Sequence, residues 1–201
     1  MQNSRGVALS CALIISVCSS LLPASAEISE QHYLVLSHVL EHGLGEECRE
    51  LVIEERTTSG SFALNTPGSS LEETAELVGV KPELLAKWQR TNLDFEYLTE
   101  KLSLDCSYHL ISTKQREALF DSAAINEPEQ GWRNFRRKYA DAAGIIRMSV
   151  PVFDETGQHA LTYIEFDCGP SCGSGRFVVL DESAQAGWAV TGGSLVWMAA
   201  E

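Results

Sequence analysis

Basic residues are scarce in this chain of 201 residues: 15 lysines and arginines stand against 28 aspartates and glutamates, a formal net charge of -13 at pH 7. Affinity for nucleic acid rests largely on neutralising phosphates, so this balance argues against a nucleic-acid partner. The acidity reads as solubility, or as attraction to a cationic partner. An apolar stretch long enough to cross a membrane is also missing. The run from Val7 to Leu22 is interrupted by Ser10, Ser16, Ser19 and Ser20 and falls short of the roughly 20 residues a spanning helix needs. The sequence has no internal repeat, low-complexity tract or dividing linker, which leaves one domain. Gly169-Pro170-Ser171-Cys172-Gly173 has the letters of a G-x-S-x-G hydrolase elbow but not its strand-to-helix setting, since strand-forming runs stand on both sides. Gly169, Gly173 and Gly175 sit between two strand-forming runs, where glycine serves a turn rather than a phosphate. No cofactor is implied.

What is present begins with a leader. Arg5 supplies a positive charge, the Val7 to Leu22 run follows, and Pro23-Ala24-Ser25-Ala26 closes it. These are the three parts of a secretory signal peptide, with small residues at Ala24 and Ala26 flanking cleavage before Glu27. Residues 1–26 are therefore expected to be removed, leaving 27–201 as a single domain in the periplasm or outside the cell, with no membrane span. Losing Arg5, the one charged residue before Glu27, leaves 14 basic and 28 acidic residues and a net charge of -14.

Four cysteines lie beyond that cleavage point: Cys48, Cys106, Cys168 and Cys172. An even count in an oxidising compartment favours disulfides, and four cysteines allow three pairings. Cys168 and Cys172 are close enough to face each other across a tight turn, which leaves Cys48 with Cys106. Their spacing is not the C-x-x-C of a redox pair, and export disfavours a thiolate zinc site.

Hydrophobic periodicity places helices mainly in the first two thirds. From Ser29 to Gly43, Tyr33, Leu36, Val39, Leu40 and Leu44 share one face. Ser70 and Glu73 form a capping box for a helix through Leu77, and Pro82 suits the first turn of another through Trp88. Thr113 to Asp121 and Glu129 to Asp141 follow, the latter with Trp132, Phe135 and Tyr139 at core spacing and ended by Gly144. Leu51 to Glu55 reads as a first strand and Tyr108 to Ile111 as a short extended piece, while Leu93 to Leu104 carries no clear period. From Ile145 to Met198, β-formers alternate with turns. Ile145 to Phe153 and His159 to Phe166 flank the hairpin turn Asp154-Glu155-Thr156-Gly157. Phe177 to Leu180, Trp188 to Val190 and Leu195 to Met198 complete a meander. The expected class is α+β: N-terminal helices packed on a C-terminal antiparallel meander of four to five strands, with one face on the helices and the end of the other reaching solvent.

Three constellations carry possible chemistry. His38-Val39-Leu40-Glu41-His42 matches the H-x-x-E-H of inverted zinc peptidases, in which His38 and His42 would bind metal and Glu41 would activate water. The wheel places the pair opposite Leu36 and Leu40, toward solvent, and nothing selects a third ligand among Glu50, Glu54 and Glu76. Arg133, Arg136, Arg137 and Lys138 form a basic face on the helix of Trp132 and Phe135; a solvated amphipathic helix accounts for it. Asp154, Glu155, Glu165 and Asp167 supply carboxylates, as glycoside hydrolysis needs, but the first two belong to a turn. Glu165, Asp167 and Arg176 remain as a polar rim beside the cysteine loop and are the candidate binding surface.

Gly131-Trp132, Phe135, Tyr139, Gly144, Ser149, Phe153, Ala160-Leu161, Tyr163, Cys168-Gly169, Cys172-Gly173, Gly175, Leu180, Gly187-Trp188 and Trp197 carry a further signal. Together they resemble a group of uncharacterised exported bacterial proteins with the pattern GW-x-x-F, Q-A-L-V-Y-V, C-G-x-x-x-G-x-G, G-x-W. The chain departs from that pattern at Val150-Pro151-Val152, where the group has arginine, valine and glycine, and at Ala140, where it has proline. The resemblance implies export and an α+β fold and brings no activity. The leading expectation is a non-catalytic envelope or secreted protein that binds a protein or peptide partner through the sheet or its disulfide-bearing loop. The rival is a small metal-dependent hydrolase working through His38, Glu41 and His42.

Overall fold

A computed structural model describes residues 28–42, 50–60, 70–120, 128–185 and 187–199. In chain order the elements are α1 (Glu30–His42), β1 (Glu50–Glu54), α2 (Leu71–Val78), α3 (Pro82–Thr91), β2 (Ser107–Ile111), α4 (Thr113–Phe120) and α5 (Pro128–Lys138). They continue with β3 (Ala142–Met148), β4 (Val152–Phe153), β5 (His159–Gly169), β6 (Cys172–Ser183) and β7 (Gly187–Met198). The α+β class holds. The expected four- to five-stranded antiparallel meander does not: one seven-stranded mixed sheet runs in the order β2-β1-β3-β5-β6-β7, with β4 also pairing β5. β1 lies parallel to both β2 and β3, so two strands from the first half of the chain extend the C-terminal sheet. Helices fall between strands rather than all before them. Parallel pairing joins segments far apart in sequence, and such partners leave no local periodicity to read.

Local signals were met at several boundaries. The Ser70 side chain accepts from the Glu73 amide while Glu73 reaches back to Ser70, and Gly79 closes α2 in the left-handed conformation at φ 81°. Pro82 opens α3. The segment expected as one strand from Ile145 to Phe153 is broken into β3 and β4 around Pro151, which has no amide to donate to a ladder. Gly144 lies inside β3, not at the end of α5. A Cβ there would strike the Asp167 carbonyl and the Phe166 ring of the neighbouring strand.

Helices cover both faces of the sheet, where packing on the helices was expected for one. On the first face α1 packs Leu36, Val39 and Leu40 onto Ile53, Ile146, Ile164, Val178 and Leu180, with Leu98 and Leu102 beside them in one continuous cluster. On the second face there are two clusters. One joins Val78, Leu85 and Trp88 of α2 and α3 to Leu161, Tyr163, Phe177 and Val179. The other joins Leu119, Trp132, Phe135 and Tyr139 to Val52, Ile111 and Ile145. No described helix is long and apolar enough to cross a membrane.

Candidate functional site

The interval between those two clusters is polar. Alternation along a strand sends every second side chain to the same face, and the ladder register aligns a row across it. Ile53 pairs with Ile146, which sets Glu54 beside Arg147. Arg147 pairs with Glu165, Glu165 with Gly175, and Gly175 with Trp197. Glu54 and Glu165 are 2% and 5% exposed, so their charges are sunk in the sheet face. They border a cleft of ≈ 450 Å³ lined by Glu54, Arg56, Thr57, Thr58, Ser59, Phe95, Arg147, Glu165 and Trp197.

The cleft walls are fixed by backbone. The loop after β1 is stitched on both sides: Thr57 and Glu96 exchange amide bonds to carbonyl and hydroxyl at 2.9 Å, and Thr58 donates to the Met148 carbonyl at 2.9 Å. The Arg56 guanidinium lies 4.4 Å from the centre of the Phe95 ring. Glu54 and Arg147 stand at or next to the carboxyl ends of β1 and β3. From β2, which lies on the far side of β1, the chain returns to β3 through α4 and α5 on the second face, and residues 98–104 reach β2 beside α1 on the first. In doubly wound sheets, divergence of this kind at the carboxyl ends of strands opens the crevices that hold ligands.

Inside the cleft the polar groups form a chain. Trp197 Nε1 donates to the Tyr163 hydroxyl at 2.7 Å, and that hydroxyl hydrogen-bonds Glu165. Arg147 Nη2 donates to Asp167 Oδ2 at 2.8 Å and lies 3.0 Å from Glu165 Oε2. The latter is an ion-pair contact without hydrogen-bond alignment, so Glu165 Oε2 and Arg147 Nε, both buried, have no hydrogen-bond partner. Arg116 of α4 approaches Glu54 at 3.6 Å.

Burial pushes the Glu165 carboxyl above its ordinary value, although Arg147 and Tyr163 pull the other way. Burial and then the Glu165 charge likewise raise the Tyr163 hydroxyl, which stays protonated as a donor. Burial works against the Arg147 charge, but Glu165, Asp167 and Glu54 outweigh it and hold the guanidinium ionised. A buried carboxylate paired to arginine is weak support for stability, because desolvation cancels much of the attraction.

Trp197 is seated by glycine. A Cβ on Gly175 would collide with the indole nitrogen and the Tyr163 hydroxyl, and one on Gly173 would crowd the far end of the same ring. These glycines therefore make room for an indole within β6, where the sequence suggested turn positions.

The expected rim is divided. Glu165 and Asp167 lie on the second face and share Arg147. Arg176 pairs with Ile164 in the ladder and so belongs to the opposite face, where it borders a groove with His42 and Leu195. The rim as expected fails because Glu165 and Arg176 have opposite parity in the β5–β6 register. His38 and His42 stack with ring centres 4.3 Å apart, Glu41 accepts from the Asp105 amide at 3.2 Å, and burial, then His42, lowers the His38 pKa. No group of three or more metal-binding side chains occurs among the described residues. Of the acids weighed as a third ligand, Glu50 bonds His109 at 2.8 Å, Glu76 is exposed and Glu54 belongs to the cleft.

Arg133, Arg136 and Arg137 form the exposed face of α5, with Trp132 and Phe135 buried behind them. Asp154 caps its own hairpin turn through Thr156, Gln158 and His159. Cys168 and Cys172 form a disulfide with Cα atoms 5.0 Å apart at the tip of the β5–β6 hairpin. Cys106 is also disulfide-bonded; Cys48, its expected partner, and the leader lie outside the described residues.

Arg147, Tyr163, Trp197 and Phe95 were not anticipated as site residues. The available signal was Arg147 itself: a charge within Ile145-Ile146-Arg147-Met148 occupies an inward-facing position and needs a buried partner. No family model, curated protein or solved structure matches the chain.

Proposed function

We propose that this chain is a non-catalytic exported protein that binds its ligand in the cleft over β1, β3 and β5. The observation that carries the reading is the pair Arg147 Nε and Glu165 Oε2, a buried donor and a buried acceptor at the cleft wall that lack a hydrogen-bond partner although their side chains are in ion-pair contact. Each such group costs about 1–3 kcal/mol, more when charged, and an incoming polar ligand removes that cost. Among the described residues the lining contains neither histidine nor cysteine, and Tyr163 is held protonated, which favours recognition over nucleophilic attack. The sequence features of the leader and the Cys168–Cys172 bridge support a periplasmic or secreted location.

Two measurements test this. Protein recovered from periplasm or medium should begin at Glu27 on N-terminal sequencing; retention in the cytoplasm with the leader intact would contradict export. Amide spectra of isotope-labelled protein, titrated separately with peptide, saccharide and nucleotide mixtures, should shift at Glu54, Arg147, Glu165 and Trp197 without conversion of the ligand. Shifts confined to the groove at Arg176, or turnover of the added compound, would overturn the proposal.

A further inference from the structure

Resting on that binding reading, we infer that the cleft takes a neutral saccharide, seated on the Trp197 indole and gripped through adjacent hydroxyls by Arg147 and Glu165. Charge in the cleft is balanced, two carboxylates against two guanidinium groups in the lining. Glu54 meets Arg116, Glu165 meets Arg147, and Arg56 stacks on Phe95. Glu54 and Glu165 each face an arginine, so a cationic ligand finds no unengaged carboxylate, and the zero net charge of the lining gives an anion no overall attraction. The groups on offer are a donor and an acceptor side by side, because Arg147 Nε and Glu165 Oε2 belong to two side chains already in ion-pair contact. A carboxylate only accepts and an ammonium only donates, whereas neighbouring sugar hydroxyls do both.

The aromatic wall agrees. The Trp197 N–H is spent on Tyr163, and the ring backs onto Gly173 and Gly175, so it presents a fixed apolar surface. Such a surface suits the C–H face of a pyranose, which buries apolar area while its rim of hydroxyls meets polar groups. Phe95 and Thr57 to Ser59 complete the walls.

The test uses the mature protein and a panel of glucose, galactose, N-acetylglucosamine, maltose, cellobiose and chitobiose at millimolar concentration. It is read by the indole N–H resonance of Trp197 and by calorimetry. At least one sugar should bind saturably and shift that resonance. Glu165→Gln and Trp197→Ala should each weaken it about tenfold or more, as loss of a charged hydrogen bond or a stacking surface implies. Arg176→Ala, on the other sheet face, should leave it unchanged. Circular dichroism of each variant confirms folding. If no sugar shifts Trp197 but a peptide mixture does, the saccharide inference falls and the binding site stands. If nothing shifts Trp197, both fall. Sugar binding unaffected by Glu165→Gln and Trp197→Ala also overturns the inference.

Discussion

The two faces of the sheet solve the same problem differently. Beneath α1, Ile53, Ile146, Ile164, Val178 and Leu180 belong to one continuous apolar cluster. On the other face, cores of comparable residues under α2–α3 and α4–α5 are kept apart by Glu54, Arg147 and Glu165. A face that only had to fold would have been apolar across that gap, because replacing buried ion pairs by packed hydrophobes is often neutral or stabilising. The contrast teaches that one face supplies stability and the other gives some up for a polar cleft.

The largest effect is expected from Arg147→Met. Removing the shared cation leaves Glu165 and Glu54 buried without it, a loss of about 3–5 kcal/mol in denaturant unfolding. The double variant Arg147→Met with Glu165→Leu should recover most of that loss and abolish ligand binding. A double variant as unstable as the single one would show that the row is structural. On the continuous face, Leu36→Ala should cost about 2–5 kcal/mol, the usual range for a cavity at a fully buried leucine. It should leave ligand affinity untouched once folding is ensured at low temperature. Gly175→Ala sits between the regimes. Its methyl should displace Trp197 at about 1–3 kcal/mol and change indole fluorescence; an unchanged spectrum would refute the seating of that ring.

The smallest effect is pH dependence. Because Glu165 is raised above its ordinary value of 4.5 in the folded state, the folded protein binds more protons than the unfolded chain just above that pH. Its contribution is fully present below pH 4.5 and is lost as pH rises through the folded value. Glu165→Gln lacks this loss, so its stability relative to the parent should improve across that window in urea midpoints taken at successive pH values. A constant difference would mean that Glu165 is not perturbed.

Much of the architecture was legible. The Ser70 and Glu73 cap, Pro82, the Trp132 and Phe135 stripe, and the Asp154 to Gly157 hairpin are local signals, and each element formed where its chemistry pointed. Glu165 and Asp167 were legible too, since alternation in β5 placed two acids on one side. Their partner was not: Arg176 is near in sequence but has the wrong parity, whereas Arg147 is brought opposite Glu165 by the β3–β5 register. Glu54 enters only through the parallel β1–β3 pairing, and Gly175 acquires its meaning only from an indole on the next strand. Non-local register is what the sequence does not display.

Trp197 has one more consequence, because it is carried by β7, which among the described strands pairs only with β6 at the sheet margin. Local openings begin at such margins, at less than the cost of global unfolding. If β7 peels away, the cleft loses its aromatic wall while Glu54, Arg147 and Glu165 stay in place. An occupant resting on the indole would oppose that peeling, so amide hydrogen exchange in Gly187–Met198 should slow on loading while the α1 side of the sheet is unaffected. The ligand would then act as a clasp on the final strand.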